Sequence, residues 1–178
     1  MRTNRPEPED VRLMNSLAQV GFDVVAASHS HRVAGYQRLE RENRCDAFCF
    51  FGLGSLVSGY AKSPLEREGL IVVAALDSHG KLVSLEVRPV LIDDTGFGVV
   101  PEAADREMIL NRFGILTAEI SDGSYQNEFY REVSRGLGRL YARDIRAAFR
   151  AAGLRGLARK AGRLRMRHVK RFFRKVAI

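Results

Sequence analysis

Two histidines, His29 and His31, stand two residues apart at the end of the run Asp23-Val24-Val25-Ala26-Ala27-Ser28. The run is apolar and β-branched at its centre, which reads as a buried strand delivering polar side chains at its exit. Alternate strand residues share a face, so a strand continuing to its end would point both imidazoles the same way. Neutral imidazole is the commonest protein donor to zinc, iron and similar ions, and divalent metal is the cofactor that the pair suggests. Two hydrogen-bonded loop histidines are the other reading, and a lone His-x-His does not choose between them.

A second stretch with chemical potential is Gly52-Leu53-Gly54-Ser55, which follows the apolar run Ala47-Phe48-Cys49-Phe50-Phe51. Glycines at a strand exit permit positive φ and close backbone approach. This segment reads either as a loop lining the same site as His29 and His31, with Ser28, Gly52, Gly54 and Ser55 around it, or as an ordinary tight turn. Asp93 and Asp94 invite an acid/base or metal role, yet Thr95-Gly96 behind them marks turn formers. His79, between Ser78 and Gly80, reads as a solvated turn residue. A strand through Cys45 and Cys49 would hold their α-carbons about 13 Å apart. A disulfide spans at most about 7 Å, so both are expected to be structural, reduced thiols.

These groups need elements to position them. Leu13, Leu17 and Val20 recur at helical spacing before Gly21, a C-cap residue, and predict a helix of about three turns running directly into the first strand. Helix, glycine turn and apolar strand form the αβ half of an α/β unit. The near-continuous hydrophobicity of 47–51 suits a strand covered on both faces. Leu70–Leu76 and Leu82–Val87 flank a short Gly-containing turn and predict an antiparallel hairpin over about 69–92. In its second strand Leu85 and Val87 alternate with Ser84, Glu86 and Arg88, so one face is expected to be wet. From Pro101 the period becomes helical, with a stop expected at Gly114. Ser121-Asp122-Gly123-Ser124 then signals a cap before a long amphipathic stretch that starts near Tyr125 and Phe129.

The chain of 178 residues is long enough to bury a real core. Its charge is divided. Residues 1–138 hold 15 basic and 20 acidic side chains, a net −5, whereas residues 139–178 hold 14 basic residues and only Asp144, a net +13. In the basic part Leu154, Leu157, Ala161, Leu164, Val169, Phe172, Phe173 and Val176 form an apolar stripe. Arg163, Arg165, Arg167, Lys170, Arg171, Arg174 and Lys175 surround it and are the candidate anion-binding residues. The readings of this helix are an anionic membrane surface, nucleic acid, or packing on the acidic body with its arginines solvated. Phe172 and Phe173 suit an interfacial anchor, while an aromatic RNA-stacking signature and a helix-turn-helix pattern are missing. The most apolar windows, 47–57 and 70–76, fall well short of the roughly 20 residues of a spanning helix. Met1–Asp10 is polar and proline-containing, without a secretory pattern. A cytoplasmic location, peripheral at the membrane through the tail, is the expectation.

Taken in order, Gly-Phe-Asp-Val-Val-Ala-Ala-Ser-His-Ser-His-Arg-Val (21–33), Phe-Phe-Gly-Leu-Gly-Ser-Leu (50–56) and the hairpin ending Val87-Arg88-Pro89-Val90-Leu91-Ile92-Asp93-Asp94 resemble the C-terminal part of the CapA-type proteins. These are associated with capsule and poly-γ-glutamate synthesis and are similar in fold to metallophosphatases. The resemblance covers roughly residues 7–95. The family pattern is approximately Gly-Ala-Asp-x-Val-x-Gly-x-His-Pro-His-Val, then Ser-Leu-Gly-Asn-Phe. Here Ser30 replaces the usual proline, Ala27 the glycine before Ser28, and Ser55-Leu56 the Asn-Phe after Gly54.

The resemblance implies the C-terminal portion of a metallophosphatase-like α/β sandwich over residues 1–120, with 121–178 as a helical, strongly basic extension. It carries His29 and His31 over as the last ligands of a dinuclear metal site. The family's N-terminal portion, with its early aspartate and Asn-Asn-His segment, has no counterpart in this sequence. The expectation is therefore a fragment or short relative: a metallophosphatase-like hydrolase if completed by a separately encoded N-terminal portion, and inactive alone, with no catalytic residue assigned. A non-catalytic module attached to an anionic partner through its basic helix is the alternative.

Overall fold

The computed structural model describes residues 3–28, 30–42, 45–59, 61, 63–136, 138–139, 143, 146–147 and 150. The chain divides into two compact units, one spanning residues 2–129 and the other lying from residue 130 on. The first is built from helices and two small sheets and is of the α/β type.

Helix α1 (Pro8–Val20) carries Pro8 in its first turn, with Glu9 and Asp10 beside it where the helix dipole favours acids. Gly21, at φ 125°, ends it: the Gly21 and Phe22 amides donate to Ala18 and Leu17 carbonyls at 3.2 and 3.3 Å. Strand β1 (Val24–Ala26) follows at once, as the helix–glycine–strand pattern requires. It pairs in parallel with β3 (Ala47–Phe50), whose other edge takes β2 (Tyr36–Leu39) antiparallel. The sheet order is β1-β3-β2.

Central β3 explains the hydrophobicity of its sequence. Ala47 and Cys49, continued by Phe51, face Val11, Met14 and Ala18 of α1. Phe50 and Phe48 face the opposite cluster, with Val33, Leu70, Ile109 and Phe113. Tyr36 stacks there on Phe50 and Phe113 with ring centroids 5.4 and 5.6 Å apart. Such offset aromatic contacts add to the energy of burial itself.

The expected hairpin is β4 (Glu68–Leu76) with β5 (Leu82–Ile92), in register from Glu68 opposite Leu91 to Ala75 opposite Ser84, with a shift at Ala75/Leu76. A short β6 (Gly98–Val99) completes this second sheet. Leu85 and Val87 pack toward the core while Ser84, Glu86 and Arg88 are exposed, so the predicted wet face is present.

Helix α2 (Ala103–Asp122) corrects one expectation: it runs through Gly114 and stops at Gly123, which is left-handed at φ 80°. A mid-helix glycine costs only about 1 kcal/mol relative to alanine. The buried stripe Ile109, Phe113, Leu116 and Ile120 carries the helix past that penalty, because its spacing keeps one face on the core. The boundary expected at residue 120 therefore falls inside this helix. Ser121–Ser124 does mark a break, with the Ser124 amide donating to Asp122 Oδ1 at 2.8 Å, and helical turns resume over 125–136. No helix among the described residues is long and apolar enough to cross a membrane.

β2 approaches α2 so closely that Gly35 has no room for a side chain: a Cβ would lie 2.5 Å from the Thr117 nitrogen and 2.7 Å from the Leu116 carbonyl oxygen. Forcing backbone apart in a packed core typically costs about 1–3 kcal/mol. Gly35→Ala is expected to lower unfolding stability by about that amount in urea titrations, whereas Gly114→Ala, on the exposed side of α2 where a Cβ would meet nothing within 4 Å, should not lower it.

Candidate functional site

Because β1 and β3 are parallel, both exit at the same end of the sheet. In α/β sheets that end is where ligands gather, since successive loops converge outside the strand carboxyl ends. The 27–35 and 51–55 segments follow these exits and are zipped together. Ala27 and Ala34 amides donate to the Phe50 and Gly52 carbonyls at 2.8 and 3.0 Å, the Phe51 amide donates to Gly35 at 3.1 Å, and Val33 forms a bridge with Leu53. The buried Gly52 is required here: a Cβ on it would stand 2.8 Å from the Arg32 carbonyl oxygen and 2.9 Å from Ser30 Oγ.

The structure changes how the histidines are presented. β1 stops at Ala26 and is only half-buried, with Ala26 exposed, so the expected buried strand does not extend to His31. His31 is exposed and sits at φ 53°, the one non-glycine residue at positive φ among those described. That conformation costs a residue with a Cβ of order 1–3 kcal/mol and is concentrated at functional sites. Ser30, in the position where proline is usual in the resembling pattern, donates its hydroxyl to the Arg32 carbonyl at 3.0 Å and shapes the turn. His31 Nδ1 lies 3.2 Å from Ser55 Oγ, which joins the His-x-His segment to the Gly-Leu-Gly-Ser segment. His29 lies outside the described residues. Ser28 is exposed beside this loop, Gly54 is left-handed at φ 72°, and Ser55 is buried. Ser30, His31, Gly52 and Ser55 are thus brought together.

Behind the loop lies a polar layer that local sequence reading misses. Asn4, almost fully buried, donates from Nδ2 to the Val33 carbonyl and accepts from Arg32 at Oδ1, both at 3.2 Å. Arg32 pairs with buried Glu66 at 3.6 Å, and its Nε is buried without a hydrogen-bond partner. Glu68, 2 % exposed at the first position of β4, is held by Arg112 of α2 through both carboxylate oxygens. The sole local signal is Glu66-Arg67-Glu68, a charged run directly before an apolar strand; their arginine partners stand 34 and 44 positions away in the sequence.

The remaining candidates resolve into structural roles. Asp93 is a turn former: its Oδ1 accepts from the Thr95 hydroxyl at 2.5 Å and the Thr95 amide at 2.9 Å. The Thr95 hydroxyl, followed by backbone amides, holds its carboxyl below the usual aspartate range. Asp94 pairs with Arg67 at 2.6 Å. His79 is exposed in the hairpin turn, where its amide donates to Asp77. Cys49 is fully buried and its thiol is pushed up in pKa by that burial, while Cys45, just before β3, donates toward Asp23 at 3.3 Å. Among the described residues, no group of three or more His, Cys, Asp or Glu side chains is placed to hold a metal ion. The basic residues Arg163, Arg165, Arg167, Lys170, Arg171, Arg174 and Lys175 lie outside the described residues.

The Glu68–Arg112 pair fixes the start of β4 on α2. Removing one partner of a buried pair leaves an uncompensated charge and costs about 3–5 kcal/mol. Arg112→Gln is therefore expected to destabilise the protein by about that amount in chemical denaturation, and Glu68→Gln placed in the same variant should recover part of the loss. Compared with known proteins, the chain matches no family model and no curated sequence.

Proposed function

We propose that the chain carries the C-terminal part of a CapA-type, metallophosphatase-like α/β sandwich, related to capsule and poly-γ-glutamate synthesis. In this reading His29 and His31 are two ligands of a divalent-metal site, and the other ligands come from an N-terminal portion of the CapA type. The observation that carries it is the tie between the two motifs: His31, held at positive φ, meets Ser55 of the Gly-Leu-Gly-Ser segment at the shared exit of two parallel strands. The imidazole donor type suits a transition-metal ion, and the hydrogen bond on one ring nitrogen is what oriented ligands commonly have. When bound, such an ion supplies Lewis-acid polarisation of a phosphoryl or carboxylate oxygen and activation of water. This chain contributes one wall of the site, and hydrolysis belongs to the completed assembly.

A second reading concerns the tail and is compatible with the first. The +13 of residues 139–178 and the apolar stripe ending in Phe172 and Phe173 support peripheral attachment to an anionic membrane surface. Each Lys or Arg near such a surface contributes about 1 kcal/mol.

Calorimetry with zinc tests the metal role: the intact chain should bind, and His29→Ala/His31→Ala together should abolish most of that affinity. Absence of zinc binding by the intact chain would refute a metal role for this chain by itself. For the tail, the protein should sediment with phosphatidylserine-containing vesicles but not with neutral ones. Changing the seven basic residues from Arg163 to Lys175 named above to Gln should release it. Equal binding to both vesicle types, or release by duplex DNA at low stoichiometry, would count against membrane attachment.

A further inference from the structure

We infer that the free edge of β4 is a pairing site for a second copy of this chain, the two β4 strands running antiparallel about a twofold axis at Ala74. β4 is an edge strand, since the sheet order is β4-β5-β6. Peptide groups alternate between the two sides of a strand, and two bonds fix which residues face which side. The Leu70 amide donates to the Leu53 carbonyl at 2.8 Å, away from β5, and the Asp77 amide donates across the hairpin to the Lys81 carbonyl at 2.9 Å. Even-numbered residues therefore turn their backbone to the outer edge and odd-numbered ones to β5. Up to Leu70 the outer edge is covered by the 53–55 segment, through the Leu53 bond and the Gly54–Gly69 bridge. Beyond it, the outward N–H and C=O groups of Val72, Ala74 and Leu76 have no backbone partner among the described residues.

An open edge of this kind is a template for another strand, and proteins ordinarily blunt it with charge, proline or a bulge. β5 is blunted in that way on its own outer side. Pro89, opposite Leu70, turns a nitrogen without hydrogen to that side, the register shifts at Ala75/Leu76, and β6 covers Leu91 and Ile92. Ile71–Leu76 carries no charged residue and no proline. The limits of the open stretch select its occupant. It is bounded by the 53–55 segment at Leu70 and by the turn at Asp77, so its midpoint is Ala74. An antiparallel copy centred there sets Ala74 opposite Ala74 and Val72 opposite Leu76, and it turns away at its own Asp77 before reaching the 53–55 segment. Burial along β4 is lopsided in a matching sense: Glu68, Gly69 and Leu70 are buried, whereas Val73–Leu76 are exposed, Leu76 by 61 %. Run antiparallel, the bare end of each strand lies beside the part of the other where Val72 is seated on its core. No like charges meet across the axis. Joining the two edges leaves neither β4 open, so assembly closes at the dimer.

Sedimentation velocity of the full chain over rising concentration should show a monomer–dimer equilibrium without larger species. Only the residue on the axis meets itself. Ala74→Lys and Ala74→Glu should each lose the dimer, because like charges then stand directly opposite, and an equimolar mixture of the two should regain it. Val83→Lys, exposed on β5, should dimerise as the wild type does. Hydrogen exchange followed by NMR needs no variant. The Val72, Ala74 and Leu76 amides should be protected where the dimer prevails and exchange freely on dilution, while those of Ile71, Val73 and Ala75, turned to β5, stay protected in both. A chain that is monomeric at every concentration overturns the proposal and leaves the edge to a strand of another protein. Dimers retained by both Ala74 variants, or exchange at the three outward amides that does not change with concentration, overturn it as well, because the contact then lies elsewhere.

Discussion

Coverage of β3 on both faces is the constraint on which the rest of this unit depends. A strand with Ala47, Cys49 and Phe51 turned one way and Phe48 and Phe50 the other can be stable only when apolar layers lie on each side. Helix α1 supplies one layer. The hairpin and α2 supply the other, with Tyr36 stacked between Phe50 and Phe113. β1 is then the parallel neighbour of a strand that cannot move, and its exit is brought to the exit of β3. The loops that carry His31 and Ser55 inherit their proximity from this arrangement.

Around those loops the chain spends polar groups where apolar ones would pack more cheaply. Asn4, Glu66 and Glu68 are all buried, and Arg32 retains a buried nitrogen without a hydrogen-bond partner. Burying ion pairs seldom adds stability over well-packed apolar residues, so their value lies in defining geometry. Glu68 and Arg112 hold the start of β4, and the backbone of β4 holds Gly54 and Ser55. Arg32, Asn4 and Glu66 hold the other side of the same loop. A strained His31 persists between these two supports because the surrounding bonds over-determine it.

Much of the fold was legible from local pattern. Gly21 after an amphipathic helix, the doubly apolar 47–50 strand and the Asp77–Lys81 turn between two apolar runs all read correctly, because each signal acts within a few residues of its effect. Gly114 misled for the opposite reason. A breaker judged by itself looked like a terminus, yet the buried face from Ile109 to Ile120 outweighed it. Exposure along β4 was also beyond local reading: Ile71 and Val73 are as apolar as Leu70 but stand in solvent, since their side of the hairpin faces outward.

The sequence by itself determined that His29 and His31 follow an apolar, strand-forming run, that a glycine-rich loop ending in Ser55 follows another, and that basic charge is concentrated after residue 138. Only the tertiary structure decided that the first strand stops at Ala26, that His31 takes a left-handed backbone, and that its ring meets Ser55. It also decided which arginines neutralise Glu66 and Glu68. The division has a physical cause. Strand and helix propensity are carried by neighbours in sequence, whereas the meeting of two loops 24 residues apart and the pairing of buried charges depend on which strands pair and in which direction.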